Sequence, residues 1–180
     1  MNLPPRLLTL ALSLLTLALT GCGPAEKTTV ASTAAPASAA PGAPAAPAAA
    51  PAPATEAELA AGKAVYQRVC IVCHMADGKG VPAAFPPLNG SEVIAGDPDR
   101  LIRIVLHGLQ GPIEVAGKTF NSVMPPQGPI LKDHEIAKVL TYVRHTWGNG
   151  ASPVSDQAVT TVRKNVQRPT PWTWAELNQK

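Results

Sequence analysis

Apolar residues recur at helical spacing in three stretches of this chain and run almost unbroken in a fourth. Leu59, Gly62, Tyr66 and Val69 share one face of a segment that opens with Thr55 and Glu58, a capping-box pattern, and this predicts a helix to about Val69. Leu101, Ile102, Val105 and Leu106 form a second stripe behind Asp97-Pro98, an N-cap followed by Pro at the first helical position, and Gly108 ends it. A third stripe, Ile136, Val139, Leu140, Val143 and Trp147, follows Asp133 and stops at Gly148. Between the helices, Asp77-Gly78-Lys79-Gly80 reads as a turn and Ile113–Phe120 as a small hairpin around Ala116-Gly117. Ser155 would cap a short helix through Val166, which Pro169 breaks. The pattern is that of an all-α domain.

The unbroken run lies at Leu7–Leu19, behind Arg6 and the free amine. It is shorter than the ~20 residues a membrane-spanning helix needs but suits the apolar region of an export signal. Leu19-Thr20-Gly21-Cys22 follows and resembles the bacterial lipobox, in which the signal (residues 1–21) is removed and the new N-terminal Cys22 takes a diacylglycerol. An ordinary signal with an incidental Cys is the plainer alternative. Gly23 stands where an Asp would retain the lipoprotein at the inner membrane, so in a two-membrane cell the outer membrane is favoured.

Residues 22–54 then read as a disordered tether. Its Ala-rich sequence carries seven prolines from Pro24 to Pro53, each of which removes a helical hydrogen bond and favours extended backbone. At roughly 3 Å per residue it reaches on the order of 90 Å at full stretch.

What remains suffices for one domain, here residues 55–150, with an extension, 151–180. Aromatic residues make up only 4% of the chain, too few to fill such a core easily, which favours a prosthetic group inside it. Between residues 55 and 150 nine Lys and Arg are matched by nine Asp and Glu, so no basic stripe suggests nucleic acid.

Cys70-Ile71-Val72-Cys73-His74 is the attachment sequence of c-type haem. Two thiols three positions apart can each add to a vinyl group of one porphyrin, and the following His becomes an iron ligand. A zinc site would want a further pair of ligands, but the chain has three Cys in all. A thioredoxin-like pair would want βαβ flanks, and these are helical. One Cys for lipid and two for thioethers leave no odd thiol in an oxidising compartment. The sixth ligand is sought among soft or imidazole donors. Met1 leaves with the signal and Met75 adjoins His74, so Met124 is the expected ligand, in a loop stiffened by Pro125 and Pro126. Its rivals are His107, at a helix end, and His134 and His145, in or beside a charged helix.

Taken together, residues 55–150 resemble a class I c-type cytochrome, with CxxCH, a Met-Pro loop and a final amphipathic helix in the family's order. The stretches His107–Pro112 and Tyr142–Asn149 are similar to the cytochrome modules of bacterial periplasmic dehydrogenases and some nitrite reductases. The resemblance implies the class I cytochrome c fold around one covalent haem c. It implies a close crossing of the first and last helices, with Gly62 against Tyr142 or Trp147. It also implies that Phe85-Pro86-Pro87-Leu88 backs the proximal ligand, a Pro86 or Pro87 carbonyl accepting the His74 ring N–H, with Pro87 and Leu88 beside the cofactor. Met75 departs from the family's usual small or polar residue and is expected to pack on the haem edge.

The function expected is one-electron transfer without catalysis, held by Cys22 on the periplasmic side of a membrane. Partners would be a periplasmic dehydrogenase, another cytochrome, or a terminal oxidase or reductase. A haem enzyme, peroxidase-like or gas-reducing, and a haem-based sensor remain as alternatives; both need a labile sixth ligand. Trp172 and Trp174 either fold back over apolar surface or form part of a docking site.

Overall fold

A computed structural model describes residues 53–179. The signal, the Cys22 lipobox and the tether through residue 52 lie outside the described residues.

Helix α1, Glu56–Val65, starts on the capping box its sequence announces: Thr55 Oγ1 accepts the Glu58 N–H at 3.2 Å, and the Glu58 carboxylate accepts the Thr55 N–H at 2.8 Å. The helical path runs past Val69. It widens into a π-turn over Tyr66–Cys70, where the Ile71 N–H reaches the Tyr66 carbonyl, and continues as α2, Ile71–His74. One extra residue in the turn, which ends on Cys70, changes the helical phase ahead of Cys73 and His74. Met75 ends α2 at φ 60°, an uncommon conformation for a side chain of its size. The Tyr66 hydroxyl donates to its carbonyl at 2.6 Å and holds it there.

A short helix α3, Glu92–Ala95, precedes α4, Pro98–His107, which Asp97 caps through the Asp99 N–H at 3.0 Å. Helix α5, Asp133–His145, is longer and crosses α1. The crossing falls at Gly62, with Tyr142 beside it. Trp147 lies beyond the end of α5, at φ 59°, its ring over Gly78. Tyr66, Tyr142 and Trp147 form an aromatic trio with centroids 5.4–5.7 Å apart. The expected continuous stripe to Trp147 is therefore broken. The chain leaves the helix at Thr146, whose hydroxyl bonds back to the Tyr142 carbonyl.

Helix α6, Asp156–Asn165, is capped by Ser155 and adds Val159 and Val162 to the core that α1, α4 and α5 share. Arg163 ties it down, bonding the Asp133 carboxylate and donating to the Gly128 and Leu131 carbonyls at 2.9 Å each. Arg144 is buried, 3% exposed, and donates to Ile94 O, Gly96 O and Ser152 O at 2.6, 2.9 and 2.7 Å. One guanidinium thereby joins α3, α5 and the segment leading to α6.

The little β-structure is local with one exception. Strands β2, Ile113–Val115, and β3, Lys118–Phe120, make the expected antiparallel hairpin, with Ala116 and Gly117 both at positive φ as a two-residue turn requires. Strand β1, Leu109–Gln110, pairs in parallel with β4, Trp172–Thr173, from the far end of the chain. A last turn, α7, Trp174–Leu177, opens on a Thr173–Glu176 capping box. Ile104, Leu109, Ile113, Val115 and Phe120 form a second apolar cluster, and Trp172, Trp174 and Leu177 fold back onto it. No helix among the described residues is long and apolar enough to cross a membrane.

Candidate cofactor site

Between the two clusters lies a cleft of about 790 Å³, part of it open to solvent. Its walls are almost wholly apolar: Leu101, Ile104 and Val105 from α4, Val139, Leu140 and Val143 from α5, and Ile113 and Val115 from the hairpin. Helix α4 separates the clusters, which is why Ile104, outside the stripe read from sequence, is buried too.

Chemistry enters this cleft from three segments. Helix α2 and the π-turn before it bring Cys70 and His74. Cys73 sits half-buried on α2 and is not part of the cleft lining, and neither Cys is in a disulfide. The loop after β3 brings Met124, whose backbone exchanges both hydrogen bonds with Leu109, at 3.0 and 2.9 Å. The segment Pro86-Pro87-Leu88 supplies a third wall.

Of the two prolines named as possible acceptors, it is Pro86 whose carbonyl meets His74 Nδ1, at 3.1 Å. With that nitrogen donating, Nε2 carries the free lone pair and is the one available to a metal. Burial pushes the imidazole below its ordinary pKa, which favours the neutral ring, the Pro86 bond pulling the other way. Burial, with Cys73 nearby, pushes the Cys70 thiol up to about 11. Met75 is not among the residues lining the cleft; its backbone carbonyl accepts from the Tyr66 hydroxyl.

The rival ligands lie elsewhere. His134 is exposed, and His107 lines a separate, more polar cleft with Arg163 and Arg168. His145 is half-buried and absent from the cofactor cleft. Apart from His74 and Cys70, no ionisable side chain among the described residues lines that cleft; the other polar members among them are Ser91 and Gln127. Neither was singled out in the sequence, where nothing distinguishes them from surface polar residues. Cys22 lies outside the described residues.

An apolar cleft with a thiol and an imidazole from one segment and a thioether from another suits a large flat cofactor bearing a central metal, because imidazole and thioether can meet the metal, the thiol can bond the ring and the walls take the rest. The fold and site thus define a haem-binding domain. The family model for cytochrome c matches residues 59–147. Over 94 residues the chain is 45% identical to cytochrome c-552 of Thermus thermophilus, a match spanning 50% of this chain and 70% of that protein. The chain belongs to the cytochrome c family, whose members carry covalently bound haem c, and a domain of this size holds one.

Other relatives are longer. The chain is 41% identical over 93 residues to the cytochrome c subunit of a quinone-type alcohol dehydrogenase from Gluconobacter oxydans, matching 51% of this chain and 19% of the relative. To the gluconate 2-dehydrogenase cytochrome c subunit of Pantoea cypripedii it is 37% identical over 107 residues, 58% of this chain and 24% of the relative. The chain thus spans less than a quarter of these two subunits.

Proposed function

We propose that the chain is a one-electron carrier in which His74 and Met124 would hold the iron of a haem that Cys70 and Cys73 would bind covalently. The observation that carries this is the meeting of His74 and Met124, fifty residues apart in sequence, in one apolar cleft. Bound haem supplies reversible one-electron chemistry at iron.

The chain's own residues do the rest. His74, its Nδ1 held by Pro86, offers Nε2 in a fixed orientation. Met124 offers a soft thioether that favours the reduced metal and raises the potential. Pro87, Leu88 and the leucines and valines of α4 and α5 keep water from the site. With both ligands in place no position is left for a substrate, and among the described residues no carboxylate, Lys or Arg lines the cleft to serve as acid or base. That lining disfavours a peroxidase-like or gas-reducing enzyme. A haem-based sensor is disfavoured in turn by the backbone bonds that hold Met124 in place.

The donor or acceptor is a redox protein. The relatives that are dehydrogenase subunits support a periplasmic dehydrogenase, with another cytochrome or a terminal oxidase or reductase on the other side. The lipobox at Cys22 and the Ala/Pro-rich tether support a carrier leashed to a membrane of the envelope, the outer one where there are two. Confinement raises its effective concentration at membrane partners. Detergent-phase partition of the mature chain, lost in Cys22→Ser, tests the anchor.

The ligation is tested by absorption spectra of the haem-loaded chain, oxidised, reduced and then exposed to carbon monoxide. A low-spin c-type spectrum is expected, with a weak long-wavelength sulfur-to-iron band that Met124→Ala abolishes, and no response to carbon monoxide. A high-spin spectrum or ready carbon monoxide binding by the unmodified chain would overturn the proposal.

A further inference from the structure

The far end of the chain is built into the backbone that carries Met124. Leu109 bonds Met124 through both its N–H and its carbonyl, while the preceding carbonyl, Gly108 O, accepts the Trp172 N–H at 3.0 Å. Strand β4 runs parallel to β1 in the register Leu109 to Trp172 and Gln110 to Thr173. Leu109 is thus the centre of a three-stranded patch whose outer members are the Met124 loop and the C-terminal segment.

Little else holds that loop. Between Phe120 and Gln127, the two bonds to Leu109 are the backbone bonds that tie it to the body of the described protein. Pro125 and Pro126 have no N–H to give, and Asn121, Ser122 and Val123 are exposed. Two-residue pairings are weak alone, and a third strand with buried side chains makes them cooperative. The C-terminal segment is itself well fastened. Trp172 and Trp174 pack on the cluster that includes Leu109 and touches Met124. The Arg168 guanidinium lies 3.7 Å over the Trp172 ring and that of Arg100 lies 5.0 Å over Trp174. Arg168 also donates to the Pro171 carbonyl at 3.1 Å and pairs with Glu176 at 3.3 Å.

We infer that Pro171–Leu177 is a positioning strap for Met124, setting through Leu109 how firmly the thioether stays at the metal, a role that rests on Met124 being the sixth ligand as proposed above. With the strap in place, β1 is flanked on both sides and the Met124 loop opens rarely. With it released, β1 becomes an edge held by one bridge, and local opening of the loop no longer requires the core to open.

The test compares four haem-loaded chains: unmodified, ended after Thr170, Trp172→Pro, which removes the N–H that reaches Gly108, and Trp172→Phe, which keeps it. Three readouts are followed: loss of the sulfur-to-iron band on heating against loss of helical circular dichroism, carbon monoxide association with the ferrous form, and hydrogen exchange at the Leu109 and Met124 amides. In the shortened chain and Trp172→Pro, the band is expected to vanish about 10 °C below the helical transition. Carbon monoxide, to which the unmodified chain is expected not to respond, should bind the ferrous form of both variants, and both amides should exchange faster, as opening of the loop becomes a local event. Trp172→Phe should behave as the unmodified chain. If band and helices are lost together in the first two and carbon monoxide association is unchanged, the segment only stabilises the fold and the inference fails. If the shortened chain does not hold haem, Trp172→Pro decides. If the unmodified chain has no sulfur-to-iron band, it is the ligation itself that fails.

Discussion

Gly62 on α1 and Tyr142 on α5 stand so close that a Cβ at residue 62 would lie 2.6 Å from the Tyr142 Cβ. The carbonyl of Lys138 closes the same space from the backbone side. Neither neighbour is the free end of a side chain, so neither can step aside. Gly62→Ala must therefore push the two helices apart and disturb the Tyr66, Tyr142 and Trp147 trio packed beside the crossing. A loss of about 3 kcal/mol is expected, the upper end for overpacking, and denaturant titration of the haem-loaded chain would measure it.

Gly108 is held differently, by its own backbone. It ends α4 at φ 82°, ψ 172°, a region essentially reserved for glycine, and a Cβ there would stand 2.5 Å from the Met124 carbonyl oxygen. Gly108→Ala is expected to cost about 2 kcal/mol and to displace the Met124 strand. Weakening of the sulfur-to-iron band at a temperature where circular dichroism is still native would show the displacement; an unaltered band with unaltered stability would refute it.

Arg144 is a buried cation bonded to no carboxylate among the described residues. Burial lowers its pKa, Asp97 opposing, and three backbone carbonyls accept from it. Arg144→Met would fill similar space but leave those acceptors without donors, at a cost of about 3 kcal/mol. Arg144→Lys should recover little, because one ammonium cannot reproduce the guanidinium's spread of donors. The two variants' melting temperatures, compared with the unmodified chain, check both statements.

Acid should loosen α6. Burial by itself would raise the Asp133 carboxyl, but hydrogen bonds from Thr160 and Arg163, and the charge of Arg163, outweigh it and hold the pKa below its usual value. The unfolded carboxyl titrates near 3.9. Stability from this group is therefore complete above about pH 4–5 and is lost as pH falls through the lower folded pKa. The loss should be on the order of 1 kcal/mol. Melts between pH 2 and pH 7 should show a smaller acid-side decline for Asp133→Asn than for the unmodified chain.

Much of this protein is decided by contacts between residues three or four apart, and those were legible. The capping box at Thr55, the Asp97-Pro98 start, the Ser155 cap and the Ala116-Gly117 turn each involve neighbours in sequence, so residue type alone determines them. The pairing of Gly62 with an aromatic of the last helix was legible only through family resemblance, and the structure selects Tyr142 over Trp147. Pro86 rather than Pro87 meets His74 for a similar reason: which carbonyl faces the ring depends on how the loop is folded. The spacing of Trp147 fits a helical stripe, yet the residue lies beyond Thr146, a position that follows from packing on Gly78 and Tyr66.

The amino-acid sequence by itself determined the four longer helices, the hairpin and the short list of groups able to meet a haem iron, because spacing, caps and side-chain chemistry are local properties. Only the tertiary structure decided that Met124 and His74 share a cleft from which His107 is absent, that Arg144 turns inward to three carbonyls, and that Trp172 pairs beside Leu109. Those outcomes join residues tens of positions apart. Their free energy comes from burying whole faces together, which no local pattern records.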